Sequence, residues 1–366
     1  MKKVIVIFVC VLGMQWGYSH EQPIRLGVVG LTHAHVGWIL ERDTSLTDIR
    51  MVGIVEPNQD LAQRYSEQFG FPLEMVYADI DSMLDAVKPE AVAAFNDIYG
   101  HLEVVRACAP RGVHVMVEKP LAVSNAHAKE MAQLAQKHGI HLLTNYETSW
   151  YASNEKVYRS LKAGAVGPVR KVVIRDGHKG PKKIGVNAEF LAWLTDPKLN
   201  GGGALTDFGC YGANLMTWLM DGERPKSVTA ITQQMQPENN PNVDDDATII
   251  LTYDTANATI QASWDWPMGR KDLEVYGLTG ALYADSPNRF RIRKAQGYSD
   301  YSEQVLDLED RPAPWNEPFA LFAAVIRDEI TLEKYDPYSL ENNLLVVAIL
   351  EAARTSAETK RTVSLN

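Results

Sequence analysis

The chain has 366 residues, with 36 Lys and Arg against 46 Asp and Glu, for a formal net charge of −10. That length favours two domains over one, and the ordinary soluble composition supplies ample material for a buried core. The negative balance argues against nucleic acid and anionic membrane surfaces as partners.

Residues 1–19 read as a secretory signal peptide. Lys2-Lys3 forms the positive start, Val4 to Leu12 an apolar run, and Gly17 and Ser19 place small residues before a cut at His20. The run is too short for a permanent span, and Cys10 follows Val9 rather than a small residue, against a lipid anchor. No later stretch is long and apolar enough to span a bilayer, so the mature protein is expected to be exported, periplasmic or secreted, and soluble. Cys108 and Cys210 remain, and both are expected reduced.

The first domain is expected over 23–146. Ile24 to Val29 has a buried-strand pattern, and Gly30-Leu31-Thr32-His33-Ala34-His35 opens a helix toward Leu40. A second strand, Met51 to Val55, ends on Glu56, 26 residues after Gly30. Strand, tight turn, helix, strand and terminal acid make the layout of a dinucleotide fold. The glycine fingerprint keeps only Gly30, with Thr32 at its second position and His35 at its third. Their side chains could donate to phosphate oxygens instead; the alternative is a decayed cofactor site. His33 and His35 also invite a metal reading. It is set aside because histidines two apart at a helix start rarely converge and no third ligand is evident nearby.

Further units follow: a helix over Asp60 to Phe69, a strand over Glu90 to Phe95, and a helix over Leu102 to Ala109 opened by His101. The β-branched run from Val113 stops at Glu118-Lys119-Pro120. Ligands of open α/β sheets bind outside the carboxyl ends of strands, so Lys119 should stand at the mouth of a site. Ser124 can cap a helix from Ala126 to Gly139, and a strand from Ile140 to Thr144 ends on Asn145-Tyr146.

The second domain is expected over 147–366. A helix from Glu155 to Ala163 precedes alternating stretches at Val169 to Asp176, Lys226 to Gln234, Ala247 to Tyr253, Ala258 to Trp264 and Asp272 to Tyr276. These predict a large, mostly antiparallel open sheet in an α+β domain. Val243-Asp244-Asp245-Asp246 reads as a solvated turn. Arg311 to Trp315 is a connector, Phe319 to Ile330 a helix, and Ser339 caps a last helix expected to pack back toward the first domain.

Glu118-Lys119-Pro120, the run Gly201 to Tyr211 and the closing pattern Ser339-Leu340-Glu341-Asn342 through Ser356 to Leu365 resemble the Gfo/Idh/MocA oxidoreductases. The resemblance covers nearly all of the mature chain. It implies an N-terminal Rossmann domain with a doubly wound parallel sheet, then a domain whose open sheet floors the substrate site and often makes a homo-oligomer interface. It implies Lys119 beside nicotinamide and substrate, with Asp207 and Tyr211 projecting from one helix. Tyr211 is then the expected proton-transfer group, its phenolate favoured by the Lys119 ammonium, with Lys119 itself as an alternative base. Asp207 would orient the substrate hydroxyl or Lys119.

The expected cofactor set is Gly30, Thr32, His33, His35, Glu56, Asn96, His101, Glu118 and Lys119, with NAD preferred because Glu56 repels a 2′-phosphate. The substrate set is Asn145, Tyr146, Trp150, His178, Lys179 and Asp207, with Asp176 and Trp193 nearby. Its aromatic and polar mixture suits a sugar or polyol. No metal is expected. Free NAD(H) is scarce outside the cytoplasm, so the cofactor is expected to stay bound. Alternatives are a redox-neutral, NAD-dependent glycoside-cleaving enzyme and a non-catalytic carbohydrate-binding relic.

Overall fold

The computed structural model describes residues 22–365, so the signal-peptide reading lies outside the described residues. The first sheet has six strands: β1 (Ile24–Val29), β2 (Ile49–Val55), β3 (Val76–Tyr77), β4 (Ala91–Ala94), β5 (His114–Glu118) and β6 (Leu142–Asn145). Their order is β3-β2-β1-β4-β5-β6 and every pairing is parallel. A parallel sheet is covered on both faces and needs continuous apolar strands; all four residues of β4 are buried. The order reverses between β1 and β4, and ligands of this topology lie at the carboxyl ends of such a pair.

Local chemistry sets the helix ends. Asn58 and Ser124 accept the N–H groups of Leu61 and His127 and start the helices Gln59–Phe69 and Asn125–His138. Left-handed Gly70 and Gly139 end them. After Gly30 the chain makes only a 3-10 turn, Ala34–Val36, and one helical turn, Gly37–Leu40.

The second sheet has nine strands: β7 (Val169–Gly177), β8 (Ser227–Gln233), β9 (Asp246–Thr252), β10 (Asn257–Ser263), β11 (Arg270–Gly277), β12 (Gly280–Ser286), β13 (Arg289–Ala295), β14 (Tyr301–Asp307) and β15 (Val363–Ser364). They run in the order β14-β13-β12-β11-β7-β10-β9-β8-β15. Only β7 and β10 pair in parallel; the other pairings are antiparallel. Alternation sorts the faces. Ala247, Ile249 and Leu251 of β9 are buried, whereas Ile250, and Ile231 of β8, stand exposed on the opposite face. The inner face carries the helix Gly209–Leu219, buried along its whole length. Beside it lies the helix Leu340–Thr359, capped by Ser339. That helix gives Val347 to the first domain's core and Leu345, Val346, Ile349 and Leu350 to the second's. Among the described residues no helix is long and apolar enough to cross a membrane.

Two expectations change. The acidic run after Val243 is not a solvated turn. Asp244 accepts the N–H groups of Gly203 (3.0 Å) and Leu205 (2.7 Å), and buried Asp245 accepts those of Met235 (2.6 Å) and Gln236 (2.7 Å). The acids replace backbone partners that these loops cannot find in a sheet or helix. In addition, the loop after His178 contains two helices, Pro181–Ile184 and Ala188–Leu194, the second capped by Asn187.

Candidate active site

Lys119 follows directly on β5, with a cis peptide to Pro120. Its Nζ is ion-paired with Asp207 Oδ1 and donates to the Asp207 carbonyl at 3.2 Å, with both side chains buried. The Trp264 indole N–H holds the other Asp207 oxygen at 2.8 Å. Asp207 and Tyr211 do not share a helix, contrary to expectation. The helix Ala204–Asp207 ends, the backbone opens at Phe208 (φ −110°), and Gly209–Leu219 begins. The Tyr211 N–H therefore bonds to the Phe208 carbonyl at 3.2 Å, and the Asp207 carbonyl accepts from the Lys119 ammonium and from the Cys210 thiol, each at 3.2 Å.

The Lys119 ammonium lies 5.2 Å from the centre of the Tyr211 ring, and the Lys271 ammonium, from β11, 4.9 Å from it. Lys271 is itself ion-paired with Glu147, which also accepts from the Tyr151 hydroxyl. Lys271 and Glu147 went unread in the sequence. The one available signal was that Lys271 directly precedes a stretch expected to form the floor. Tyr146 meets Tyr211 edge-on at 5.4 Å, and its buried hydroxyl has no partner.

Burial works against the Lys119 ammonium, but Asp207, with Cys210 and Glu118, outweighs it and the net shift is upward. Burial likewise opposes the Asp207 carboxylate, and Lys119 holds it below its ordinary range. Tyr211 corrects the expected phenolate: burial, reinforced by Glu147 and other acids, pushes its phenol well above 10. The tyrosine is a neutral donor.

A cavity of about 740 Å³ opens beside this cluster, lined by Glu147, His178, Phe208, Trp266, Arg270 and Lys271. His178 stands edge-on to Phe208 at 5.0 Å and is kept neutral by burial. Lys179 is exposed, and Asp176 is buried with one oxygen unpartnered. Trp150 lies elsewhere, edge-on to Trp38, which stacks on His35 at 3.7 Å.

On the first-domain side, Gly30 has φ +84°, and a Cβ there would come within 2.7 Å of the Asn96 nitrogen, so glycine is required. Glu56, at the end of β2, accepts the N–H groups of Leu31 and Asn58, each at 2.9 Å. Thr32 is not a free donor, because its hydroxyl accepts the Trp193 indole N–H at 3.1 Å and faces the Phe95 carbonyl at 3.4 Å. Phe190 packs on His33 at 4.6 Å, and Arg64 pairs with Glu189 at 2.7 Å, so the helix Ala188–Leu194 straps this turn. His101 Nδ1 bonds to the Leu121 carbonyl, and burial lowers its pKa to about 4.

Glu118 is a third metal-capable group that the sequence did not reveal. Its Oε2 lies 3.0 Å from His35 Nδ1 and 3.9 Å from His33 Nε2, while Asn145 Nδ2 holds Oε1 at 2.7 Å. The three metal-capable groups lie within 4.8 Å of one another. The sheet order explains this convergence, since β1 and β5 flank β4 and their carboxyl ends face one crevice.

Residues 24–146 match the model of an oxidoreductase family with an NAD-binding Rossmann fold, and residues 154–283 match the GFO/IDH/MocA C-terminal domain. The chain belongs to the Gfo/Idh/MocA oxidoreductase family. Among relatives, trans-1,2-dihydrobenzene-1,2-diol dehydrogenase of Xenopus tropicalis is 26% identical over 65% of this chain and 68% of its own length. D-glucoside 3-dehydrogenase of Escherichia coli (strain K12) is 26% identical over 57% of this chain and 58% of its own. An inositol dehydrogenase homolog from Azotobacter vinelandii, complexed with NAD+, superposes with TM-score 0.80 at 21% identity, covering 94% of this chain and 98% of its own. Aldose-aldose oxidoreductase from Caulobacter crescentus, complexed with glycerol, gives TM-score 0.77 at 24% identity, covering 94% and 100%.

The family's nicotinamide cofactor fits this site unevenly. Glu56 retains lone pairs for ribose hydroxyls after its two backbone bonds, and Gly30 keeps the tight turn, packed against Asn96. The diphosphate turn fits least well, because the amides of Leu31, His33 and His35 are already spent on Glu56, the Phe95 carbonyl and His33 Nδ1.

Proposed function

We propose that this Gfo/Idh/MocA member moves a hydride between a tightly held NAD and a hydroxyl or carbonyl of a sugar or polyol. The observation that carries the reading is the buried Lys119–Asp207 pair at the end of β5, beside Tyr211 and the 740 Å³ cavity. NAD supplies the hydride chemistry. Gly30, Glu56, Asn96, His101 and Glu118 are the residues that would hold it. Glu56 favours NAD over NADP, since Arg64 is spent on Glu189.

Lys119 keeps its proton because Asp207 stabilises the ammonium, so at neutral pH it donates to the substrate oxygen. Tyr211 is a second neutral donor, and Asp207 positions Lys119 by holding Nζ through both its carboxylate and its carbonyl. In the reducing direction Lys119 gives its proton to the oxygen that becomes the alcohol. In the oxidising direction the alcohol proton passes to Lys119 once the amine is free. Asn145, Tyr146 and His178 bound the substrate region, with Trp150 and Lys179 farther out. The relatives named for a diol and a glucoside support a polyhydroxylated substrate.

Export of the chain through residues 1–19 belongs to the same proposal and is the reason for a retained cofactor. Oligomerisation through the open sheet is supported by exposed Ile231 and Ile250. The deciding experiment is purification without added nucleotide, denaturation, and quantification of nicotinamide dinucleotide in the supernatant. About one equivalent per chain is expected, reduced when a sugar panel is added to the intact protein. An empty site that also fails to bind added NAD(H) or NADP(H) defeats the reading.

A further inference from the structure

The geometry points to a binding site for one divalent transition-metal ion formed by His33, His35 and Glu118. Imidazole nitrogen and carboxylate oxygen bind such ions at about 2.0–2.2 Å, so donors roughly 3 to 4 Å apart can share one ion. Glu118 Oε2 meets that spacing with both rings, at 3.0 Å from His35 Nδ1 and 3.9 Å from His33 Nε2. The second distance is too long for a hydrogen bond, so hydrogen bonding alone does not account for one oxygen facing two imidazoles.

The surrounding groups pre-organise the three donors. Asn145 Nδ2 fixes the other Glu118 oxygen at 2.7 Å, the kind of outer hydrogen bond that orients metal-binding carboxylates. Trp38 stacks on the His35 ring at 3.7 Å and Phe190 packs against His33 at 4.6 Å. Glu118 and His33 are buried, while His35 keeps a fifth of its side chain exposed and leaves a way in. Lys119, the cation next in sequence to Glu118, is already spent on Asp207. Two histidines and one carboxylate with an open position match zinc or another first-row divalent ion rather than magnesium or calcium.

Both rings adjust on ligation: the proton in the 3.0 Å hydrogen bond between His35 Nδ1 and Glu118 Oε2 moves to His35 Nε2, and one proton moves on His33. His33 Nδ1 accepts the His35 N–H at 3.1 Å, which places the ring proton on Nε2. Ligation through Nε2 moves that proton to Nδ1 and gives up this one contact in exchange for a metal–nitrogen bond. The ion would add positive charge to the turn whose amides are mostly spent.

The test uses tag-free, chelator-stripped, nucleotide-free protein. Zinc is added against a chromogenic competitor, and metal retained after desalting is counted by mass spectrometry. One zinc per chain is expected, with at least a hundredfold weaker binding in His35→Ala and in Glu118→Gln. Should either variant fold poorly, cobalt added to the wild type gives visible bands of a nitrogen–oxygen site, and zinc raises its melting temperature. Sub-stoichiometric zinc in the wild type, or retention undiminished in both folded variants, overturns the site. Metal uptake is read without nucleotide, so it stands or falls apart from the oxidoreductase reading.

Discussion

Two opposite charges buried in contact decide what Lys119 can do. Against the burial that would strip the proton, the Asp207 carboxylate, helped by Cys210 and Glu118, holds the folded amine above its ordinary 10.5. A group that keeps its proton donates well and accepts badly. Carbonyl reduction should therefore be nearly independent of pH across the neutral range. Alcohol oxidation should rise with pH, with no plateau below about pH 10. Initial rates in both directions from pH 6 to 10 check this, and an oxidation plateau near neutrality would remove Lys119 as the proton-transfer group. Lys119→Ala should lower turnover in both directions by roughly two to four orders of magnitude, measured on protein whose circular dichroism matches the wild type. Tyr211→Phe should cost less, because a neutral donor is lost and the proton carrier remains. Lys119 and Asp207 were legible as candidates from Glu118-Lys119-Pro120 and the run Gly201 to Tyr211. The protonation of Tyr211 was not, because it is set first by burial and then by acids such as Glu147, which lies 64 residues away in the chain.

At the scale of elements, sequence periodicity marked where most strands and helices run but not what their ends do. Strands such as Ile24–Val29 and helices such as Asn125–His138 carry their own apolar spacing and caps, and those signals are local. The break at Phe208 is not local. There the Asp207 carbonyl accepts from Lys119, a partner from the other domain. The third metal-capable ligand was hidden for the same reason, since Glu118 meets His33 only through the order of the sheet. The acidic run at 244–246 was misread because charge alone suggests solvent, whereas adjacent amides without partners draw carboxylates inward. Asp245 is fully buried and satisfies two N–H groups and the Asn240 side chain. Asp245→Ala should therefore destabilise the fold by about 2–4 kcal/mol, since hydrogen bonds to a charged group are lost and their donors stay buried. Urea unfolding measures this, and a loss within 0.5 kcal/mol, the usual range of surface substitutions, would mean the donors find water instead.

Across the whole molecule, the helix Leu340–Thr359 supplies side chains to both cores, so the two domains share one structural member and should unfold together. The loop entering that helix carries Asp336, nearly fully buried, whose Oδ1 accepts the Tyr338 N–H at 3.0 Å. Burial raises its pKa from 3.8 to about 6, against the opposing pull of that N–H and of Arg311. The native state therefore binds this proton more tightly than the unfolded chain does. The stabilisation is fully present below pH 3.8 and is lost as pH rises through 6. One pKa unit corresponds to about 1.4 kcal/mol, so the difference of roughly two units amounts to about 3 kcal/mol at neutral pH. Asp336→Asn keeps an acceptor oxygen for Tyr338 and removes the titration. It should match the wild type near pH 4 and exceed its stability by up to about 3 kcal/mol at pH 7. Denaturant melts at both values, followed by hydrogen exchange of first-domain amides and circular dichroism for the whole chain, test the shift and the shared transition together. Equal stability of the two proteins at pH 7 would place the Asp336 carboxylate in contact with water, and separated midpoints would show that the shared helix does not couple the domains.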